Sequence, residues 1–345
     1  MTKAKKLTKG QLRRIKANQA KKLQNKVEKV QWQDDQLGEA QLGTVISRFG
    51  QHADVEAQNG EIFRCNLRRS IGSLICGDKI LWRQGKASEH SISGVIEAVH
   101  ERESVLSRPD VYDGVKPIAA NISQILIVSS VLPAFNADII DRYLVAAEET
   151  QIKPVIVLNK TDLFNDENEA EIEQQLEIYR DIGYEIIYVS NETQHGIDEL
   201  KIQLKDNTSV FVGQSGVGKS TLTNSLMPDL GVVTKEVSQN SGLGQHTTTV
   251  ARLYHFEQGG DLIDSPGIRE FGLWHLTPEQ VCNGFIEFED FLGLCKFRDC
   301  KHKTDPGCAL VAAVKDKKIH PKRLASFQKI LNSLDENTLT SRFNN

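Results

Sequence analysis

Two hydrophobic rhythms divide the chain. Over residues 38–108 apolar positions come in short β-rich runs at 42–46, 53–57, 61–65, 79–82 and 93–98, separated by the turn sequences Gln58-Asn59-Gly60, Cys76-Gly77-Asp78 and Gln84-Gly85-Lys86. Five short strands at this spacing predict a small closed β-barrel, with an OB-type fold as the leading assignment. After Pro117 the rhythm becomes strand then helix. Residues 121–131, 154–158, 185–189 and 209–212 read as apolar strands; 137–150, 169–182, 197–204 and the stretch from Lys219 to about Leu226 read as helices. Such alternation predicts a parallel sheet covered on both faces. Residues 275–345 are helical in pattern, and residues 1–37 form an arm with little apolar face, expected to be unfolded until bound.

Composition bounds this picture. With 345 residues, 39% hydrophobic and 26% charged, the chain reads as a soluble globular protein of two or three domains. Its longest apolar stretch, around Ile125–Val128, falls short of the ~18 residues of a membrane span. The opening residues have neither the apolar core of a secretory signal nor the Arg/Ser enrichment of a transit peptide, so the cytoplasm is the expected compartment. The net charge of −4 conceals an asymmetry: residues 1–30 carry eleven Lys/Arg against Glu28, and residues 296–330 carry ten against Asp299, Asp305 and Asp316. Basic ends around an acidic middle suit a polyanionic partner. For the arm, a solvated tail is the competing reading.

The chemistry lies in three blocks. Gly213-Gln214-Ser215-Gly216-Val217-Gly218-Lys219-Ser220, followed by Thr221, is a G-x-x-x-x-G-K-[ST] phosphate loop in its required context, after a strand and opening a helix. Its glycines let backbone N–H groups turn around phosphate, Lys219 supplies a point charge and Ser220 a hydroxyl for Mg²⁺. Asn159-Lys160-Thr161-Asp162 ends another apolar strand. The Asp162 carboxylate can accept from N1–H and the 2-amino group of guanine, donors that adenine lacks there, so GTP is expected rather than ATP. Lys160 is expected along the base plane, and Asn159 either braces the loop or meets the other edge of the purine. Ser190, opening the segment Ser190-Asn191-Glu192-Thr193, stands where a second base-contacting loop is expected. Asp264-Ser265-Pro266-Gly267 is a D-x-x-G switch, with Asp264 reaching Mg²⁺ through water and the Gly267 N–H sensing the γ-phosphate.

The base reader precedes the phosphate loop, the reverse of the ordinary order, so the domain reads as a circularly permuted GTPase. Helix 197–204 leads through residues 205–208 into the phosphate-loop strand and closes the old termini. The switch then runs directly into the C-terminal segment. Between loop and switch lies a Gly-punctuated stretch, 242–249, in which Thr247 or Thr248 is the candidate Mg²⁺ ligand. Ile268 occupies the place where many GTPases carry a water-orienting Gln, so unaided hydrolysis is expected to be slow. His246 is the candidate catalytic replacement; a solvent-facing loop histidine is the competing reading.

Cys295-x4-Cys300-x-His302-x5-Cys308 concentrates four ligands within fourteen residues. Three thiolates and an imidazole satisfy tetrahedral Zn²⁺ with no open position, so a structural site is expected. Disulfides are the rival use, disfavoured in a cytosolic chain and leaving His302 unexplained. Cys65, Cys76 and Cys282 read as buried thiols. Lys296, Arg298, Lys301 and Lys303 should project a basic surface around the metal.

Taken together, the permuted motif order, Gly244-Gln245-His246-Thr247-Thr248, Asp264-Ser265-Pro266-Gly267 and the Cys/His cluster closely resemble the RsgA family of permuted GTPases, from Leu37 onward. The resemblance implies a multidomain α/β fold: a basic arm (1–37), an OB-fold barrel (38–108), a circularly permuted P-loop GTPase domain (109–274) and a helical zinc-binding domain (275–345). It also implies a GTP hydrolase, using Mg²⁺, that acts in late maturation of the 30S ribosomal subunit, binds its rRNA and is stimulated by that particle. A monomer is expected. Gln245 departs from the Arg or Lys that relatives often carry. The alternative from another class is an RNA-binding module with a vestigial nucleotide site; intact Lys219, Ser220, Asp162 and Asp264 argue against it.

Overall fold

The computed structural model describes residues 36–68, 71–85, 92–110, 114–228, 250–265, 276–303 and 305–343. The basic arm, the 242–249 stretch with His246, Thr247 and Thr248, and Gly267 and Ile268 lie outside the described residues.

Five strands close the first domain: β1 (Leu37–Phe49), β2 (His52–Ala57), β3 (Ile62–Leu67), β4 (Lys79–Gly85) and β5 (Gly94–Val99). The long β1 pairs antiparallel with both β2 and β4, β4 pairs with β5, and a parallel β3–β5 contact completes the barrel. One strand can serve two neighbours because its register shifts between Val45 and Ser47 and between Leu37 and Ala40, the bends that bulges supply. Trp82 fills the barrel, its ring 5.0 Å from that of Phe63. Gly43 makes room for it, since a Cβ there would stand 2.8 Å from Trp82 Nε1 and from Val55 Cγ1.

A hairpin unforeseen in the sequence follows, β6 (Val105–Asp110) with β7 (Gly114–Ala120). Pro109 and Pro117 discourage a strand assignment, yet among the described residues this is a separate two-stranded sheet whose one further pairing, the Cys76–Ala119 bridge, needs neither proline's missing donor.

The GTPase sheet comprises β8 (Gln124–Ser130), β9 (Lys153–Asn159), β10 (Glu185–Tyr188), β11 (Thr208–Val212), β12 (Arg252–His255) and β13 (Asp261–Asp264). Its order is β10-β9-β8-β11-β13-β12, parallel throughout except for the β12–β13 hairpin. Helices α1 (Ala137–Glu149), α2 (Glu169–Ile182), α3 (Ile197–Leu204) and α4 (Lys219–Leu226) cover it. Every residue of β8 is buried, as two-sided cover requires. Alternate positions divide between two cores: Ile125, Ile127, Ile156 and Leu158 pack with Leu144 and Leu176, while Leu126, Val128, Val155 and Val157 pack with Leu200 and Leu222.

The C-terminal region contains α5 (Pro278–Asn283), a 3₁₀ turn (Ile286–Phe291), α6 (Ala309–Lys315) and α7 (Pro321–Phe343). Helix α5 starts at a capping box, in which Thr277 and Gln280 each bond the other's backbone N–H, with Pro278 in the first turn. This region follows the switch in sequence but packs on α1 and α2. Arg323, only 2% exposed, donates through Nε to Glu287 Oε1 at 2.6 Å and through Nη1 to Asp141, and its guanidinium lies 4.4 Å from the Phe285 ring. Tyr179 Oη of α2 donates to the same Asp141 carboxylate at 2.8 Å. Among the described residues no helix is long and apolar enough to cross a membrane.

The contrast between this buried cluster and the surface pair Lys329–Asp138, 3.0 Å apart with both side chains about half exposed, is measurable. Arg323→Met strands two carboxylates and should destabilise the C-terminal packing by about 3–5 kcal/mol. Lys329→Met should cost less than about 1 kcal/mol. Urea unfolding with hydrogen exchange across α1, α5 and α7 checks both; equal effects would contradict the assignment.

Candidate nucleotide site and metal centre

The phosphate loop leaves the carboxyl end of β11, between β8 and β13, at the point where successive strand connections change direction. Open parallel sheets bind ligands at such points. Gly213 turns there with φ of 134°, and a Cβ would lie 2.1 Å from Val128 O. Gly218, with φ of 96°, is equally constrained: a Cβ would stand 2.3 Å from Asn159 Nδ2. Only glycine fits both the conformation and the space.

The base-reading segment reaches across to this loop. Asn159 Nδ2 donates to Val217 O at 2.9 Å and Lys160 Nζ to Gly216 O at 2.7 Å. Carbonyls engaged from that side are kept from a phosphate, which leaves it the amides of the loop. Lys219 Nζ, from the first turn of α4, donates to Gly213 O at 2.7 Å and Gln214 O at 2.6 Å, spanning the loop's opening residues. Gln214, Ser215 and Gly216 are exposed; Val217 is buried. Ser220 and Thr221 continue the first turn of α4. Buried Asn159 Oδ1 has no partner among the described residues, an acceptor the site leaves to an occupant.

Asp162 is exposed, but its carboxylate is oriented. Ser190 Oγ, fully buried, donates to Asp162 Oδ1 at 2.5 Å and accepts from Thr193 N at 3.2 Å. Thr161 donates through both N and Oγ1 to Val189 O, each at 3.2 Å, tying the two base-side loops together. Asp264 ends β13, two strands from β8 and next to the phosphate-loop strand. Base-side and phosphate-side residues thus converge at one end of the sheet. The two carbonyl anchors, Gly216 O and Val217 O, escape sequence reading, because backbone acceptors carry no side-chain signature.

The Cys/His cluster forms a second centre. One ligand atom each from Cys295, Cys300, His302 and Cys308 lies within 4.8 Å of all the others. Cys295 Sγ and Cys308 Sγ are each 3.5 Å from His302 Nδ1. A tetrahedral ion at ordinary Zn–S and Zn–N lengths would hold sulfur and nitrogen about 3.6 Å apart, so the donors fit such an ion. His302 sits at φ of 55°, in the left-handed region, and burial pushes its pKa below the ordinary value, favouring the neutral ring that binds metal. Helix α7 supports the loop: Gln328 Nε2 donates to His302 O at 2.8 Å and Lys303 Nζ to Asn332 Oδ1 at 2.7 Å. Cys65, Cys76 and Cys282 are buried thiols.

The family model described as RsgA GTPase matches residues 99–274. A relative from Dickeya dadantii (strain 3937), named small ribosomal subunit biogenesis GTPase RsgA, is 57% identical over 332 residues, covering 96% of this chain and 95% of its own. The crystal structure of YjeQ from Thermotoga maritima matches with a TM-score of 0.70 and 32% identity, over 86% of this chain and 99% of that one. YloQ, described as a circularly permuted GTPase, matches with a TM-score of 0.68 and 26% identity, over 89% of this chain and 98% of its own. At such identity across almost the full length of both chains, this protein belongs to the RsgA family of circularly permuted GTPases.

Proposed function

We propose that this GTPase acts in late maturation of the small ribosomal subunit, binding the 30S particle through its rRNA and hydrolysing GTP faster when bound. One observation carries the enzymatic part: the base reader and the phosphate loop are hydrogen-bonded into a single site, with Lys219 and the oriented Asp162 in place. That is costly order for a vestigial site to keep. The partner is supported by the name of the 57% identical relative and by the exposed basic residues Lys296, Arg298 and Lys301. The arm (1–37) and barrel (38–108) would add to the rRNA contact, the domain 109–274 would hold GTP, and 275–345 would carry the metal. A cytoplasmic monomer is the simplest state for this work.

In this reading Asp162 selects guanine, and Ser190 holds its carboxylate in the selecting orientation. Gly213–Thr221 cradle the phosphates, and Lys219 exchanges the loop carbonyls for phosphate oxygens. Ser220, Asp264 and Thr247 or Thr248 would hold Mg²⁺, which when bound neutralises charge on the β- and γ-phosphates. The Gly267 N–H reports the γ-phosphate. With Ile268 beside it, no side chain at that position orients water, and His246 takes that part on the particle. Cys295, Cys300, His302 and Cys308 would hold one structural Zn²⁺.

Turnover with and without purified small subunits tests the enzyme. The basal rate should be on the order of 10⁻² s⁻¹ or below, and subunits should raise it by orders of magnitude. His246→Ala should lose the stimulation while keeping GTP and subunit affinity. Absence of any GTP turnover with subunits would leave the RNA-binding module as the better account, and normal stimulation in the variant would remove His246 from catalysis.

Metal analysis tests the second centre. About one Zn²⁺ per chain is expected for a closed site, and Cys300→Ser should lose the ion together with exchange protection in α6 and the first half of α7. A fully protected C-terminal region without metal would contradict the zinc assignment.

A further inference from the structure

The barrel joins the rest of the chain on two sides, at the β6–β7 hairpin and at the GTPase sheet. On one, Cys76 bridges to Ala119, and Asn121 Nδ2 donates to Gly77 O at 2.9 Å just before β8. On the other, β1 meets β12 at one register pair, Ser47 opposite Arg252. Beside the apolar packing of Ile46 with Leu253 and Ile263, that second junction has a polar clasp. His255 ends β12 opposite Asp261, the first residue of β13, in the hairpin that finishes at Asp264. Its Nδ1 lies 2.6 Å from Asp261 Oδ1, and its Nε2 lies 2.8 Å from Glu56 Oε1 on β2 of the barrel. From β11 the neighbouring group is the uncharged Thr208 hydroxyl, 3.4 Å from Asp261 Oδ2.

A neutral imidazole has one N–H and one lone pair. Here both nitrogens face carboxylate oxygens, which only accept, so both contacts are hydrogen bonds only when the ring carries two protons. We propose that His255 is a positioning residue for hydrolysis: as an imidazolium between Glu56 and Asp261, it holds the β12–β13 hairpin, and with it Asp264, against the barrel. On deprotonation one contact fails. The shorter, local bond to Asp261 persists within the hairpin, and the barrel contact through Glu56 is lost.

The hydrogen bond to Asp261, with the charges of Glu56 and Asp261, raises the His255 pKa above its ordinary value despite partial burial. The sign follows. The clasp is fully present below about pH 6.5, the unperturbed histidine value, and is lost as pH rises through the raised folded value. The role in hydrolysis rests on the proposed part of Asp264 at the nucleotide; the clasp itself does not.

Nitrogen-15 imidazole spectra of the full chain between pH 5.5 and 9, assigned by comparison with His255→Gln, report the ring directly. The midpoint should lie above the ordinary histidine value, with both nitrogens mostly protonated at about pH 6.5, and Glu56→Gln should lower it; a ring mostly neutral at about pH 6.5 would overturn the clasp. GTP turnover over the same range reports positioning. Wild-type kcat should fall about fivefold as the ring deprotonates, the low end of typical coupling between sites, with KM for GTP little changed. Glu56→Ala, which removes the barrel partner, should be low at every pH and lack that step. A Glu56→Ala profile matching wild type, beside a charged His255, would overturn the positioning role alone.

Discussion

The site depends on two backbone carbonyls, those of Gly216 and Val217, being held by side chains from a segment that precedes them in the chain by 56 and 58 residues. A phosphate loop must point amides inward, and it can do so only if its carbonyls are satisfied elsewhere. Asn159 and Lys160 satisfy two of them. The sheet order β9-β8-β11 sets the distance across which they reach, and Gly218 must lack a side chain because Asn159 occupies the space. Reversal of the motifs along the chain changes none of this. The geometry depends on which strands are neighbours, and the link from α3 to β11 needs only residues 205–207 to restore them.

Permutation also decides what each half of the site carries. The chain leaves the switch after Asp264 but then packs on the opposite, base-reading half, where Arg323 is enclosed by Asp141, Glu287 and Phe285. Gly284 sits so close to α1 that a Cβ would be 2.7 Å from Val145 Cγ1. The barrel instead touches the switch hairpin, through Ser47–Arg252 and His255. The region with the Cys/His cluster therefore packs on the half that carries Asn159–Asp162, while the barrel touches the hairpin that ends at Asp264.

Much of this was legible in the sequence where signals were local. Helices Glu169–Ile182 and Ile197–Leu204 have the bounds expected from their apolar spacing, the first ending at Gly183 in the left-handed conformation that stops a helix. The five barrel strands were visible from their turns. By contrast, β12 and β13 have four residues each and charged or polar ends, too short for a period to emerge. Arg323 was the plainest misreading. It counts in the basic run of 296–330, yet it is among the most buried side chains, because its partners lie 182 and 36 residues away. A charge count cannot see a distant carboxylate.

The central claim, that the base-reading strand builds the phosphate loop as well as reading guanine, is open to one direct measurement. Inorganic triphosphate with Mg²⁺ has no base, so its affinity reports the loop alone. Competition against a fluorescent GTP analogue should show Asn159→Ala weakening inorganic triphosphate and GTP by a similar factor, about tenfold for a loss of about 1.4 kcal/mol. If triphosphate binds the variant as it binds wild type while GTP binding falls, Asn159 serves only the base and the account fails.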